Sequence, residues 1–167
     1  LYLLNDQGTE EAPIRIKAYP GTSPRISPSE RSRGLRIQNG KYIIVSGLEI
    51  SNAYYTGIRI DESSNLMLQN LWVHDTDGVD NDNIAGIAAG GSRDIVIDHS
   101  LVHDNYDRTC ADTGGLRTEN SRNLVFFRGG NIALKYSTVF QTPPVTAQKT
   151  GGCVVYKHGQ DIAGGIF

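Results

Sequence analysis

The sequence predicts an all-β solenoid in which short parallel strands stack from coil to coil, that is, a parallel β-helix. Four segments share one pattern of alternating apolar residues, and each follows a short strand that begins with glycine. Such internal repetition is typical of solenoids. The composition agrees, because Ile, Val and Leu are common while Met and Trp occur once each, and this balance suits strands better than packed helices.

The four similar segments cover residues 42–52, 65–75, 94–104 and a looser stretch from Asn123. In the first of them Ile43 and Val45, and then Leu48 and Ile50, recur at every second position. A period of two indicates a strand with one face inside. The strands that precede the segments begin at Gly34, Gly57, Gly86, Gly115 and Gly152.

The spacing between these glycines is 23, 29, 29 and 37 residues, so the strands recur while the connections vary in length. A leucine-rich repeat would need a near-constant period, and a β-sandwich would not need superposable coils. We therefore expect residues 1–167 to form one β-helix segment of about four to five coils, with caps and further coils outside it.

Three short polar residues, Asn65, Asp94 and Asn123, are predicted to begin the second strand of successive coils. Such side chains stabilise tight bends by bonding to nearby backbone. A ladder of Asn and Asp at one corner is therefore expected.

The charge balance and hydropathy exclude some functions. With 16 Lys and Arg against 18 Asp and Glu, the net charge of -2 does not favour a nucleic-acid partner. No apolar run approaches the roughly 18 residues that span a bilayer. Cys110 and Cys153 fit either one disulfide or two unreactive thiols.

Several stretches resemble the pectate-lyase-like right-handed parallel β-helix superfamily. They are residues 8–21, residues 42–50 and the two Val-His-Asp motifs at 73–75 and 102–104. The similarity is strongest to the branch that contains alginate and chondroitin lyases. It implies a right-handed helix, an acidic polysaccharide as partner, and a secreted, periplasmic or cell-surface location. The motifs serve the coil and do not by themselves define a reaction.

The outward positions of the glycine-led strands are predicted to form two columns. The first contains Arg36, Arg59, Ala88, Arg117 and Val154. The second contains Gln38, Asp61, Gly90, Glu119 and Tyr156, followed along the chain by Lys157 and His158. This face is expected to hold uronic acids through Arg36, Arg59, Asp61 and Glu119. The alternative is that Arg59 with Asp61, and Arg117 with Glu119, are ion pairs on an exposed sheet.

On that face we predict β-elimination. The proton beside a uronate carboxylate becomes acidic when a cation neutralises the carboxylate, and a base then removes it. Lys157 is the predicted base, Arg117 the neutralising cation, and Tyr156 or His158 the proton donor or a substrate contact. The pairing of Lys with Arg on adjacent coils resembles that of the related lyases. The alternatives are a glycoside hydrolase, in which Asp61 and Glu119 would be the carboxylate pair, and a module that binds carbohydrate without cleaving it.

Acidic residues recur in two loops of neighbouring coils and predict a calcium site, since Ca²⁺ prefers six to eight oxygen ligands. The candidate ligands are Asp75, Asp77, Asp80, Asp82, Asp104 and Asp107. Their spacing is not that of an EF-hand, and a hydrated turn is the alternative.

His74 and His103 occupy equivalent positions and are expected to stack, either as corner residues of the repeat or as a catalytic or metal-binding pair. Trp72, Tyr54 and Tyr55 are candidates for stacking on sugars or for simple packing.

Overall fold

The computed structural model describes residues 1–28, 32–78, 84–105, 122–142 and 154–157, with the backbone alone described at 155–157. Sixteen strands lie in these residues, and the same residues contain no helix. The strands form three parallel sheets, which we call A, B and C. Each complete coil gives one strand to each sheet in turn, so the predicted parallel β-helix is confirmed.

Sheet A contains the glycine-led strands. Its members, in spatial order, are β1 (Tyr2–Leu4), β4 (Leu35–Gln38), β7 (Thr56–Asp61), β10 (Ala85–Gly90), β13 (Arg122–Phe127) and β16 (Val154–Lys157).

Sheets B and C contain the second and third strands of each coil. Sheet B consists of β2 (Ile14–Lys17), β5 (Lys41–Ser46), β8 (Ser64–Gln69), β11 (Arg93–Asp98) and β14 (Gly130–Lys135). Sheet C consists of β3 (Arg25–Ile26), β6 (Glu49–Ser51), β9 (Trp72–His74), β12 (Leu101–His103) and β15 (Thr138–Phe140).

The core is built from columns of apolar side chains that face the inside of the coil. In sheet A, Ile60 of β7 is the direct partner of Ala89 of β10, as the repeat predicts. In sheet B, Val45, Leu68 and Ile97 lie one above another and are fully buried. Burial of one such side chain contributes roughly 1.5–3 kcal/mol, so the columns hold the coils together.

Glycine opens the sheet A strands because neighbouring coils approach there closely. A Cβ on Gly57 would lie 2.6 Å from the carbonyl oxygen of Gly86 and 2.7 Å from Cγ1 of Val73. Real Cβ atoms do not tolerate such distances to backbone. The repeated glycine is therefore required by the close stacking of one coil upon the next.

The predicted corner ladder exists, but one of its members is wrong. Asn65, Asp94 and Asn131 all have positive φ, at 57°, 56° and 52°, in the second residue of their sheet B strands. Asn123 instead lies in β13 of sheet A, where it is 1% exposed and accepts a hydrogen bond from Nδ2 of Asn105 at 2.8 Å. The segment from Asn123 is thus a first strand of its coil, because a longer connection at 104–121 precedes it.

Candidate functional site

The outer face of sheet A carries two columns of side chains, as expected, from β4 to β10. The first column contains Arg36, Arg59 and Ala88, and the second contains Gln38, Asp61 and Gly90. In the next coil the columns continue with Val125 and Phe127 of β13. The charged part of the face, on β4 and β7, therefore lies between Tyr2 and Leu4 of β1 and the apolar positions of β13.

This register corrects the predicted positions of Arg117 and Glu119. Val125 and Phe127 stand where these two residues were placed, because residues 122–127 form the next sheet A strand. Arg117 and Glu119 themselves lie outside the described residues, as does His158. The hydrolase alternative placed Asp61 and Glu119 in one column of sheet A. The register does not support this pair, because the column of Asp61 continues with Gly90 and Phe127.

The last strand is also shifted by one residue from the predicted alignment. Lys157 is the partner of Phe127 and therefore belongs to the column of Asp61, whereas Tyr156 is the partner of Phe126 and belongs to an inner column. Val154, placed by the sequence in the column of Arg59, pairs with the inward Leu124. Only backbone is described at Tyr156 and Lys157.

Arg36 and Arg59 share one carboxylate. The Arg59 guanidinium lies 2.6 Å from Oδ1 of Asp61, and Nη2 of Arg36 lies 3.7 Å from Oδ2. The ion pair of Arg59 with Asp61 is thus as the sequence analysis predicted. Within the described residues Nε of Arg36 is buried and has no hydrogen-bond partner. Because two guanidinium groups, those of Arg36 and Arg59, face the single carboxylate of Asp61, this part of the face is suited to binding a further carboxylate.

Phe127 covers the adjoining part of the face and was missed by the sequence analysis. Its ring lies over Gly90, where an added Cβ would come within 2.6 Å of Cε2. The guanidinium carbon of Arg59 lies 5.0 Å from the ring centroid, within the range of a cation–π interaction. Gly90 therefore leaves room for the ring, and the ring in turn orients Arg59. The alternation of inward and outward residues in β13 places Phe127 on the outer face, but only when the register of this strand is known.

A second group of candidate functional side chains lies on sheet C. His74 and His103 are direct partners, and their rings stack at 5.3 Å with 7° between the planes. Nδ1 of His74 lies 2.7 Å from Asp75, and Nδ1 of His103 lies 2.8 Å from Asp104. The predicted equivalence of the two Val-His-Asp motifs is confirmed. Each histidine is oriented by the residue that follows it.

Trp72 links the two coils through His103. Its indole Nε1 donates a hydrogen bond of 2.8 Å to Nε2 of His103. Because Nε2 is then an acceptor, the proton of the neutral ring resides on Nδ1, which donates to Asp104. The Phe140 ring continues the stack, 4.7 Å from His103 and nearly parallel to it. All ring nitrogens of His103 are therefore engaged within the protein.

Asp104 is the acceptor at the centre of this group. It accepts hydrogen bonds from the backbone N–H of Thr142 at 2.6 Å, from its hydroxyl at 3.0 Å and from Gln141 at 3.1 Å. Burial acts to raise the pKa of Asp104, but the hydrogen bonds that Asp104 accepts from His103 and from the backbone and hydroxyl of Thr142 outweigh it. The pKa of Asp104 is therefore held below its ordinary value of 3.8.

The predicted calcium ligands are only partly described. Asp75 and Asp104 hold the histidines, and Oδ1 of Asp77 accepts the backbone N–H of Gly78 at 2.7 Å. Among described residues no three His, Cys, Asp or Glu side chains come close enough to hold a metal ion. Asp80, Asp82 and Asp107 lie outside those residues, so calcium binding by the full set stays a prediction.

No helix long and apolar enough to cross a bilayer occurs in the described part of the chain. The sequence matches the family described as "Right handed beta helix region" over residues 22–163. The chain belongs to this family. The right-handedness predicted from the resemblance is therefore confirmed. Among curated proteins, no sequence matches this one.

Solved structures with the same architecture include two lyases and a viral protein. Pectate lyase Pel9A aligns with a TM-score of 0.62 and 17% identity, over 95% of this β-helix and 47% of that chain. The alginate lyase from Paenibacillus sp. str. FPU-7 gives 0.53 and 15%, over 93% and 63%. Tailspike protein 2 of bacteriophage CBA120 gives 0.58 and 14%, over 93% and 22%.

In each case this β-helix spans less than two thirds of the other chain. At these identities the likeness shows the fold alone.

Proposed function

We propose that this β-helix is part of a secreted or cell-surface protein that binds an acidic polysaccharide along the outer face of sheet A and cleaves it by β-elimination. The observation that carries the proposal is the pair Arg36 and Arg59. They stand on adjacent strands of one flat face and share a single carboxylate, that of Asp61. A uronate carboxylate completes the charge balance of this site.

The chemistry follows from the charges on the face. A guanidinium paired with the substrate carboxylate stabilises the negative charge that develops when the neighbouring proton leaves. Lys157 is the base in this proposal, and its strand is the third beyond that of Arg59 in sheet A, roughly 14 Å away. Arg36 and Arg59 therefore hold a neighbouring sugar, and Arg117 is the proposed cation that neutralises the carboxylate beside the reacting proton. His158 is the proposed proton donor, since Tyr156 belongs to an inner column. A lysine acts as a base when neighbouring cations lower its pKa.

The likeness to solved structures supports a polysaccharide as substrate. Two of the solved structures with this fold are described as a pectate lyase and an alginate lyase. Calcium bound by Asp75, Asp77, Asp80, Asp82, Asp104 and Asp107 is part of the proposal, because acidic glycans and Ca²⁺ associate through carboxylate oxygens.

The test is an activity assay with polygalacturonate, alginate and chondroitin sulfate, in which the ultraviolet absorbance of the unsaturated product is followed with and without added Ca²⁺. We expect product from at least one substrate. Lys157→Ala should abolish it, and Arg59→Ala should slow it by roughly 10²-fold or more. Arg93→Ala on sheet B, whose side chain is 76% exposed, is the matched control and should retain full activity.

A module that binds without cleaving is the second candidate. The ion pairs of Arg36 and Arg59 with Asp61 favour this candidate. Because Asp61 partly neutralises both arginines, they stabilise the negative charge of a reacting substrate less well. Retention of the protein on an immobilised acidic glycan without any product would establish this alternative. The loss of that retention in Arg59→Ala would still place the binding face on sheet A, and absence of both binding and product would refute the proposal.

A further inference from the structure

A groove on the outer face of sheet B is separate from the face discussed above. It has a volume of about 450 Å³, which lies within the usual range for ligand sites. Its floor is one outward column, formed by Ile44, Met67, Val96 and Ala133 on four successive strands. At about 4.8 Å per strand the floor runs for roughly 14 Å, the length of a short oligosaccharide.

One side of the groove is lined with hydrogen-bonding groups, one from each coil. Asn65, Asp94 and Asn131 occupy it, and Tyr42 continues the row at the end. All four have positive φ, between 49° and 57°, so the same bend presents each side chain in the same way. Asn131 donates from Nδ2 to Oδ1 of Asp94 at 2.5 Å. The row therefore combines amide and carboxylate groups at regular intervals.

The loop before β2 forms the end wall of the groove through Glu10 and Pro13. This loop is held in place by backbone bonds, with Gly8 donating to the carbonyl of Lys41 at 2.9 Å and Thr9 donating to that of Ala12 at 3.2 Å. The groove is thus formed in advance of any ligand, which reduces the entropic cost of binding.

The charge of the groove restricts its occupant. Both charged residues among its lining, Glu10 and Asp94, are acidic. An anionic polysaccharide therefore meets like charges within the groove, and the cations nearest to the floor and the row, Arg15 beyond Ile44 and Arg93 beside Asp94, lie outside its lining. A purely apolar ligand would cover the polar row without forming hydrogen bonds to it, and the lost hydration of these groups would weaken binding. The occupant needs an apolar face for the floor and hydroxyl or similar donors for the row.

An extended peptide fits this surface less well than a sugar chain. Peptides that join a sheet use the free N–H and C=O groups of an edge strand. Here β5, β8 and β11 are each paired on both sides, so the groove offers side chains only. A pyranose ring presents C–H groups on its face and hydroxyl groups around its rim, and this matches an apolar floor beside a polar row.

We propose that the sheet B groove binds an uncharged linear glycan, with the sugar faces on Ile44, Met67 and Val96 and the hydroxyl groups on Asn65, Asp94 and Asn131. This site is independent of the proposed lyase face, so either proposal can fail without the other.

The test uses methyl NMR spectra of the protein during titration with uncharged hexasaccharides of glucose, mannose and xylose, and separately with a hexagalacturonate and a lysine-rich peptide. We expect at least one uncharged glycan to shift the methyl signals of Ile44, Met67, Val96 and Ala133. Met67→Lys, which places a charged chain on the floor, should weaken binding at least about tenfold. Gln69→Lys, two residues further on the same strand and outside the groove, is the matched control.

Asp94→Asn keeps the hydrogen-bonding capacity and removes the charge, and binding of the uncharged glycan should survive it. The proposal is overturned if no uncharged hexasaccharide shifts these methyl signals at millimolar concentration. It is also overturned if only the lysine-rich peptide does so and Asp94→Asn abolishes that effect, or if Met67→Lys and Gln69→Lys bind equally well.

Discussion

Asp104 joins two coils through its side chain. Its carboxylate accepts hydrogen bonds from His103 in its own coil and from Gln141 and Thr142 in the next. Its backbone has a φ of 53°, a conformation that Asp and Asn tolerate better than most residues. One residue thus turns the chain and anchors the following coil.

The lowered pKa of Asp104 makes this anchor sensitive to acid. A carboxylate whose pKa is lower in the folded protein stabilises the fold above its unfolded pKa, near 3.8. That stabilisation is lost as the pH falls through the folded value. We expect Asp104→Asn to lower the melting temperature at neutral pH and to flatten its fall as the pH drops below about 4. Thermal unfolding followed by circular dichroism measures both.

Asp94→Asn is the control for this prediction. Asp94 has nearly the same φ, 56°, but it accepts its hydrogen bond from a single side chain, that of Asn131. If the two variants show the same dependence of melting temperature on pH, Asp104 does not have the role described.

Among the structural elements, the strands of the three coils from β4 to β12 could be predicted from the sequence. The alternation of Ile, Val and Leu and the glycine near the start of β4, β7 and β10 determine them, because glycine marks where a Cβ would meet the next coil. The coil that begins with β13 could not be aligned. Both residues 94–97 and 123–126 begin with a short polar residue followed by apolar residues, so local pattern alone does not distinguish the second strand from the first.

The part of the candidate site that depends on the register of the coils from β4 to β12 could be predicted from the sequence. Arg36, Arg59 and Asp61 on one face, and the stacking of His74 on His103, follow from the spacing of the repeat. The position of Phe127 over Gly90 and the bond from Trp72 to His103 were not predictable. Both depend on side-chain directions between coils that differ in length.

The alternation also predicts that adjacent residues of one strand contribute unequally to stability. Ile97 is fully buried in the column of sheet B, whereas its neighbour Val96 faces outward and is only partly covered. We expect Ile97→Ala to lower the free energy of unfolding by about 2–5 kcal/mol and Val96→Ala by less than about 1 kcal/mol. Urea unfolding measures the difference, and equal losses would contradict the assignment of inner and outer faces.

The whole molecule is a stack in which each coil contacts the coils directly above and below it. This arrangement converts a sequence separation of about thirty residues into spatial neighbours, and it creates long faces of constant character. Sheet A offers two cations on β4 and β7, and sheet B offers an apolar groove with a polar row. Both proposed binding faces depend on the register between coils.

Thiol cross-linking tests this register most directly. In a background of Cys110→Ser and Cys153→Ser, the pair Ala88→Cys with Val125→Cys is treated with a short bifunctional thiol reagent, and the linked peptides are identified by mass spectrometry. The two positions are direct partners on adjacent strands, about 4.8 Å apart, so we expect efficient cross-linking within one chain. The pair Ala88→Cys with Phe127→Cys, which is two residues out of register, should link less efficiently. Preferential linking of the second pair would contradict the register on which both faces depend.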